Sequence, residues 1–265
     1  MKQLIGLIGG GVMGEAILKG LLKAGKTAAS FLVSDHNQKR CAYLKEEYGV
    51  RTIEDNKQLI KESEIIILAV KPQNLNEVLS DCLEVCSTDK LWLSILAGIT
   101  TTKLESLLPV NSKVIRVMPN TPALVGAGAV VLTSGKWAQK QDLERAKSIF
   151  AHLGVVHVLP EEMLDAATGL SGSGPAFVAL FIEALTDGGV LAGLPREVAA
   201  ELVLQTVVGT VKLLKETGLH PAELKDRVTS PAGTTIYGML NWEKNGIRGT
   251  IMETVLQAAA RAAEI

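Results

Sequence analysis

Short runs of consecutive apolar residues recur along the first 160 positions, and most are followed by a stretch with helical periodicity. Strands are predicted at 4–8, 31–33, 65–70, 91–95, 114–118, 129–133 and 155–159. Helices are predicted near 12–24, 37–47, 55–62, 73–81, 101–107 and 138–152. Strands that are apolar at every position are buried on both faces. We therefore predict a Rossmann-like α/β domain over 1–160, with a parallel, doubly wound sheet between helices.

The pattern changes after Pro160, where long helical stretches replace the strand-like runs. Two of them, near 175–192 and 196–216, are apolar on most faces and carry only scattered charges. A helix that is apolar nearly all round must be buried, and one hundred residues do not easily surround two such helices. We predict an all-helical dimerisation domain over 161–265 whose helices are covered by a second subunit. A compact monomeric helical domain is the alternative.

The composition of the chain excludes several classes of protein. The chain has 265 residues, 47% of them apolar, and a formal net charge of −1, without the basic stripe of a nucleic-acid binder. No window reaches the roughly 18 apolar residues of a membrane span, so we expect no membrane partner. The three cysteines, Cys41, Cys82 and Cys86, form no CxxC pair and are predicted to be reduced thiols. These features favour a soluble, cytoplasmic protein.

Residues 9–14 read GGGVMG, a G-x-G-x-x-G motif between a predicted strand and a predicted helix. In that context Gly9 permits the tight turn, Gly11 lets the backbone approach a pyrophosphate, and Gly14 lets the helix pack close to the strand. The first amides of the helix, around Val12 and Met13, then face the phosphates. The motif predicts a dinucleotide site, and a glycine-rich turn without a ligand is the alternative.

The residue that contacts the adenosine ribose is expected about twenty positions after this motif, where the second strand ends in Ser34-Asp35. If Asp35 occupies that position, its carboxylate favours the free 2′-hydroxyl of NAD. If Ser34 occupies it, its hydroxyl can donate to the 2′-phosphate of NADP, with Lys39 and Arg40 nearby to neutralise the charge. We predict Ser34 and NADPH, with NADH as a second cofactor.

Other polar or proline-containing segments follow predicted strands, where ligands bind in such sheets. One is Lys71-Pro72, in which the proline stiffens the loop and the lysine can face the cofactor. Ala97-Gly98 follows the next strand, and Asn120 lies between two prolines after the strand at 114–118. Stiff polar loops in these positions serve binding sites more often than cores.

Taken in order, the segments AVKPQ, SILAGIT, RVMPNTPALVGAGA, SGSGPAF, DGGVLAGL and SPAGTT resemble those of Δ1-pyrroline-5-carboxylate reductases, across essentially the whole chain. The resemblance implies hydride transfer from NADPH or NADH to the imine carbon of the substrate, giving L-proline. It also implies an intertwined homodimer, which in this family can assemble further, with active sites that draw on both subunits. The predicted cofactor-binding residues are Gly9, Gly11, Val12, Met13, Gly14, Ser34, Asn56, Ala69, Val70, Lys71, Pro72, Ala97, Gly98 and Asn120.

The resemblance places the substrate carboxylate on Ser230, Gly233 and Thr234, and the hydroxyl of Thr235 beside the imine nitrogen. Ser230 is a suitable helix cap and Pro231 suits a first turn, so amides that follow are predicted to be free for an anion. Since the imine is protonated before attack, Thr235 is expected to orient it or relay a proton, and no strong protein acid is required. A plain capped helix start is the alternative.

One departure from the family pattern concerns Ala232, where a second glycine is common. If that residue needs a positive φ, alanine costs about 1 kcal/mol there and shifts the substrate loop. The chain also ends slightly earlier than is usual in the family.

Four other functions are alternatives to this one. A β-hydroxyacid dehydrogenase needs a lysine near 169–177, where this sequence has none. Glu183 and Asp187 are spaced for a divalent cation, as in a ketol-acid reductoisomerase, but have no further carboxylate partners, and no metal is expected. Ser171 and Ser173 do not form the G-x-S-x-G elbow of a hydrolase. A paralogue that senses dinucleotide or proline without catalysis is the fourth.

Overall fold

The computed structural model describes residues 4–264. They fall into two compact units, one of residues 4–172 with 258–264 and the other of residues 173–257. The first unit contains an eight-stranded sheet, with β1 Ile5–Ile8, β2 Phe31–Ser34, β3 Arg51–Ile53, β4 Ile65–Leu68, β5 Leu91–Ser94, β6 Lys113–Met118, β7 Gly128–Ser134 and β8 Gly154–Val158. Their order across the sheet is β3-β2-β1-β4-β5-β6-β7-β8.

Helices connect the strands and lie against the sheet. They are α1 Val12–Lys23, α2 Gln38–Tyr48, α3 Asn56–Glu62, α4 Leu75–Cys82, α5 Thr101–Leu107 and α6 Lys140–Phe150, followed by α7 Leu164–Ala167 and a π-helical turn, Thr168–Gly172. Three of them begin at side-chain caps, with Asn37, Asp55 and Thr100 accepting from amides of the first turn. Each predicted helix of this region is present, with ends within two residues of those expected.

Two hydrophobic clusters show that the sheet is buried on both faces. Along β4, Ile65 and Ile67 belong to one cluster, and Ile66 and Leu68 belong to the other. Successive side chains of a strand point to opposite faces, so a strand that is apolar at every position supplies both layers. This confirms the covered sheet that the sequence predicts.

The sheet is mostly parallel, as predicted, with one antiparallel pairing towards one edge. β7 runs antiparallel to β6, and β8 runs parallel to β7. The link between β6 and β7, residues 119–127, holds only a short 3₁₀ segment, whereas a parallel return needs a crossover of a dozen or more residues. The sequence analysis also missed β3, an edge strand of three residues that begins with exposed Arg51.

The second unit is helical. It contains α8 Gly174–Leu191, α9 Arg196–Thr217, α10 Pro221–Arg227, α11 Thr234–Lys244 and most of α12 Ile247–Ala263. The two apolar helices, α8 and α9, cross closely at Gly189, where an added Cβ would lie 3.1 Å from the Cβ of Ala199. Within the single chain Thr186 is the buried residue of α8 and Ala199 that of α9. The chain alone therefore does not bury these helices.

By length and composition one helical stretch of the described residues, Glu161–Leu191, is apolar enough to cross a membrane. It is not a run of roughly 18 apolar residues, because Glu183 and Asp187 interrupt it. Only 6% of that window is buried inside the chain. The stretch includes α8, one of the two apolar helices that the sequence predicts to be covered by a second subunit.

Candidate functional site

The glycine-rich loop joins β1 to α1 with the geometry of a phosphate-binding turn. Gly9 has φ of +102°, and an added Cβ would lie 2.6 Å from the carbonyl oxygen of Ala69. A Cβ on Gly14 would overlap the carbonyl oxygen of Gly9. Gly11, by contrast, has no atom within 4 Å of the place where a Cβ would be. Gly9 and Gly14 are thus required by packing, whereas Gly11 leaves the backbone at the start of α1 open to a ligand.

The loop lies at the point where the strand order reverses, between β1 and β4. Ligands of doubly wound sheets bind at this point, beside the carboxyl ends of the strands. Strands β1, β2, β4, β5 and β6 are parallel, so the residues that follow them share one edge of the sheet. A cavity of about 390 Å³ opens there and is lined by Ile8, Gly9, Ser34, Asp35, His36, Glu54, Asn56, Val70, Asn74, Glu77, Val78 and Asp81.

Ser34 and Asn56 are brought together at this cavity although they are 22 positions apart. The Ser34 hydroxyl, on a residue 2% exposed, donates to Oδ1 of Asn56 at 2.5 Å. Asp35 is also beside the cavity, but both of its carboxylate oxygens are occupied by main-chain amides, those of Gly10 and Asn37, each at 2.8 Å. Asp35 therefore holds the glycine loop, while Ser34 and Asn56 line the cavity.

Arg40 does not extend towards the cavity, contrary to the role in charge neutralisation suggested by its position. Its Nε donates to the carbonyl oxygen of Gly10, and its Nη2 is paired with the carboxylate of Glu15 on α1. Tyr43 and Tyr48 donate to the other oxygen of Glu15 at 3.0 and 2.6 Å. Sequence reasoning missed this cluster, because no local pattern indicates which side chain a distant arginine meets.

The remaining predicted cofactor residues follow β4, β5 and β6. Ala69 and Val70 continue from β4, and the Ala69 amide donates to the carbonyl of Ile8, while Lys71 precedes a 3₁₀ turn that starts at Pro72. Ala97 and Gly98 form a turn after β5, with φ of +72° at Gly98.

Asn120 has a structural role as well. Its Nδ2 donates to the carbonyl of Ser171 at 2.9 Å, and its Oδ1 accepts from the amide of Ala129 at 2.8 Å. Both ends of this amide therefore bind main-chain groups of the same unit, and they hold the loop after β6 against the π-helical turn.

The second candidate region is the SPAGTT loop before α11. Helix α11 begins at Thr234 with Gly233 as its cap, so the prediction that Ser230 caps this helix is wrong. Ser230 instead starts a turn, in which the amide of Gly233 donates to its carbonyl at 3.0 Å, and Pro231 and Ala232 are the central residues. The turn moves the helix start three residues along the chain.

Ala232 has φ of +55°, a left-handed conformation that glycine adopts without strain. Because this φ is positive, the predicted cost of about 1 kcal/mol for alanine in place of glycine applies at this position. The first amides of α11, from Thr234 onwards, have no partner within the helix and lie at the positive end of its dipole, so they suit a carboxylate. Thr235 is half-buried in the first turn of this helix.

One of the two carboxylates that are spaced for a divalent cation is paired with an arginine. Asp187 accepts from Arg196 at 2.7 Å, and both side chains are more than half exposed. Within residues 4–264 there is no group of three or more His, Cys, Asp or Glu side chains arranged to hold a metal ion.

Comparison with known proteins agrees with this architecture. A family model described as pyrroline-5-carboxylate reductase dimerisation matches residues 161–265, and one described as coenzyme F420-dependent NADP oxidoreductase matches residues 4–98. A pyrroline-5-carboxylate reductase of Synechocystis is 49% identical over 267 residues, which cover 100% of this chain and 99% of the relative. The chain belongs to the pyrroline-5-carboxylate reductase family.

Solved structures of pyrroline-5-carboxylate reductases have the same fold. The reductase of Coxiella burnetii superposes with a TM-score of 0.94 at 33% identity, covering 100% of this chain and 98% of that one. The reductase of Plasmodium falciparum, solved with NADP bound, gives 0.89 at 34% identity with the same coverage. A Rossmann-like sheet domain followed by a helical dimerisation region, as predicted, is thus confirmed.

Proposed function

We propose that this protein reduces 1-pyrroline-5-carboxylate to L-proline with NADPH, and also accepts NADH. The observation that carries the proposal is the similarity along the whole chain to pyrroline-5-carboxylate reductases, at 49% identity for the Synechocystis protein. The open face of Gly11 at the switch point of the sheet supports a dinucleotide there. We assign cofactor binding to 1–160, and substrate binding and dimerisation to 161–265.

NADPH, when bound, supplies the hydride that adds to the imine carbon. The chain holds it through the glycine loop, with Gly9, Gly11, Val12, Met13 and Gly14 at the pyrophosphate and Ser34 with Asn56 at the ribose. The segments Ala69–Pro72 and Ala97–Gly98 and residue Asn120 border the remainder. The family model for NADP oxidoreductases over residues 4–98 supports NADPH.

The start of α11 holds the carboxylate of the substrate. Ser230, Gly233 and Thr234 surround it, and the helix dipole favours its negative charge. The free main-chain donors are the amides from Thr234 onwards, because the Gly233 amide is bonded to the Ser230 carbonyl. Thr235, one position further, places its hydroxyl at the imine nitrogen, which is protonated before the hydride arrives. The bond electrons of the imine pass to that nitrogen, so the product is a neutral secondary amine or its protonated form. The residues therefore act by orientation and by one hydrogen bond.

We further propose that the protein is a homodimer, or an assembly of homodimers, in the cytoplasm. The helical unit exposes apolar side chains in numbers that a soluble monomer does not tolerate, and a groove beside Phe177, Phe181 and Trp242 is part of that surface. A second copy covers these residues in the proposed dimer. The three free cysteines suit a reducing compartment.

An absorbance assay tests the proposed reaction. Purified protein is mixed with pyrroline-5-carboxylate and NADPH, and separately NADH, and the dihydronicotinamide band is followed while proline is measured as the product. We expect oxidation of the cofactor and proline in equal amounts. Binding of NADPH without oxidation would favour a sensor.

Sedimentation of the wild type and of Phe181→Glu tests the dimer, since the substitution puts a charge in the apolar groove and should shift the mass towards one chain.

A further inference from the structure

The peptides on both sides of Gly10 are held by side chains from the segment after β2. The Gly10 amide donates to Oδ2 of Asp35 at 2.8 Å, which fixes the peptide between Gly9 and Gly10. The Gly10 carbonyl accepts from Nε of Arg40, which fixes the peptide between Gly10 and Gly11. In a planar trans peptide the C=O and N–H groups point in opposite directions. The contact with Arg40 therefore turns the Gly11 N–H away from Arg40 and leaves it free for a ligand.

Arg40 is itself fixed by three different contacts. Nε is bonded to the Gly10 carbonyl, Nη2 is paired with Glu15, and the guanidinium carbon lies 5.0 Å from the centre of the Tyr43 ring. The side chains of Arg40 and Glu15 are only 25% and 20% exposed. Nε and Nη2 are therefore both engaged by protein atoms and are not available to a phosphate on the adenosine ribose.

Glu15 is fixed in turn by donors to both oxygens, Arg40 on one and the hydroxyls of Tyr43 and Tyr48 on the other. Partial burial by itself raises the pKa of the Glu15 carboxyl, but the hydrogen bonds from Tyr48, Arg40 and Tyr43 outweigh it and lower the pKa overall. Glu15 is therefore a carboxylate at neutral pH. It lies in the first turn of the helix that faces the phosphates, so an unpaired charge there would oppose an anionic ligand.

We propose that Arg40, held by Glu15, is a positioning residue that pre-forms the pyrophosphate-binding loop, and is not a ligand of the 2′-phosphate of NADPH. The inference rests on the proposed function, since it needs a dinucleotide at the glycine loop. NADPH and NADH share the pyrophosphate and differ only in the 2′-phosphate. A loop-positioning role therefore affects both cofactors alike, whereas a 2′-phosphate ligand affects NADPH alone.

The test is a fluorescence titration of Arg40→Gln with NADPH and with NADH. We expect both dissociation constants to rise by roughly tenfold, with their ratio unchanged within about twofold, because one charge-assisted contact is lost. In turnover assays KM for the cofactor should rise while kcat at saturation stays within about twofold. Arg51→Gln is the matched control, since Arg51 pairs with Glu62 at 3.0 Å away from the loop, and both constants should stay unchanged.

Arg40→Lys keeps the charge but lacks the planar fork that contacts Gly10 and Glu15 together. We therefore expect both dissociation constants to rise by about threefold, which is less than the tenfold rise in Arg40→Gln. This variant also serves if Arg40→Gln does not fold. A selective loss of NADPH would make Arg40 a 2′-phosphate ligand. Unchanged constants, or an equal loss in Arg51→Gln, would also overturn the inference. If the wild type binds neither cofactor, the proposed function itself is wrong.

Discussion

The side-chain amide of Asn120 donates a 2.9 Å hydrogen bond to the carbonyl of Ser171, which joins the loop after β6 to the π-helical turn 51 positions later. The other end of the same amide accepts from Ala129. One asparagine thus connects three segments of the sheet unit. It lies at the edge of the sheet where the parallel strands end and where we propose that the cofactor binds. π-Helical turns are rare and are often found at functional sites, which agrees with this location.

Asn120→Ala should lower the free energy of unfolding by about 2 kcal/mol, because it leaves the Ala129 amide and the Ser171 carbonyl without their partner. Urea unfolding at a fixed protein concentration measures the change. Asn245→Ala is the control, since that exposed side chain bonds only within its own helix end and should change stability by less than about 0.5 kcal/mol. Equal stability of Asn120→Ala and wild type would show that the two bonds carry no net energy.

Ala232→Gly and Ala232→Val should act in opposite directions on the substrate loop. Glycine removes a left-handed strain of about 1 kcal/mol, while valine is strongly disfavoured at positive φ. We expect KM for the substrate to be equal or lower in the glycine variant and at least fivefold higher in the valine variant. The KM for NADPH should not change in either. A valine variant with wild-type KM would mean that the loop changes conformation when substrate binds.

Thr235→Ala should reduce kcat by at least tenfold and leave the dissociation constant of NADPH within about twofold. The reason is that its hydroxyl is proposed to bind the imine nitrogen and not the cofactor. Thr217→Ala is a matched control, because that exposed hydroxyl bonds only to main-chain groups at the end of its own helix, the carbonyl of Leu213 and the amide of Leu219. Unchanged turnover in Thr235→Ala would remove this residue from the mechanism.

Cys86 should react slowly with alkylating reagents in the folded protein. Burial raises the pKa of its thiol from the ordinary 9.0 to about 11, and the thiolate is the reactive form. At pH 8 its thiolate fraction is therefore about 100-fold lower than in the unfolded chain, and the labelling rate should rise up to a pH near 11. Mass spectrometry after timed labelling measures this. Burial also raises the pKa of Cys41 and Cys82, so neither is a thiol activated by a low pKa.

Some elements of the fold are predicted from the sequence more accurately than others, for physical reasons. The predicted strands of the sheet lie within two residues of those observed, because a continuous apolar run is a local signal. β3 was missed since it has three residues, begins with Arg51 and lies at the edge of the sheet. The cap of α11 was placed at Ser230 instead of Gly233, because a serine before a proline suits either a helix start or a turn.

The sequence by itself determined the types and limits of most elements, the glycine loop, the family and the apolar helices that need a partner. These depend on neighbouring residues, whose spacing and side chains are read directly from the chain. Tertiary structure alone decided that β7 is antiparallel and that Arg40 meets Gly10 and Glu15. A strand has the same apolar pattern in either direction, and contacts between residues 25 to 30 positions apart exist only once the chain is folded.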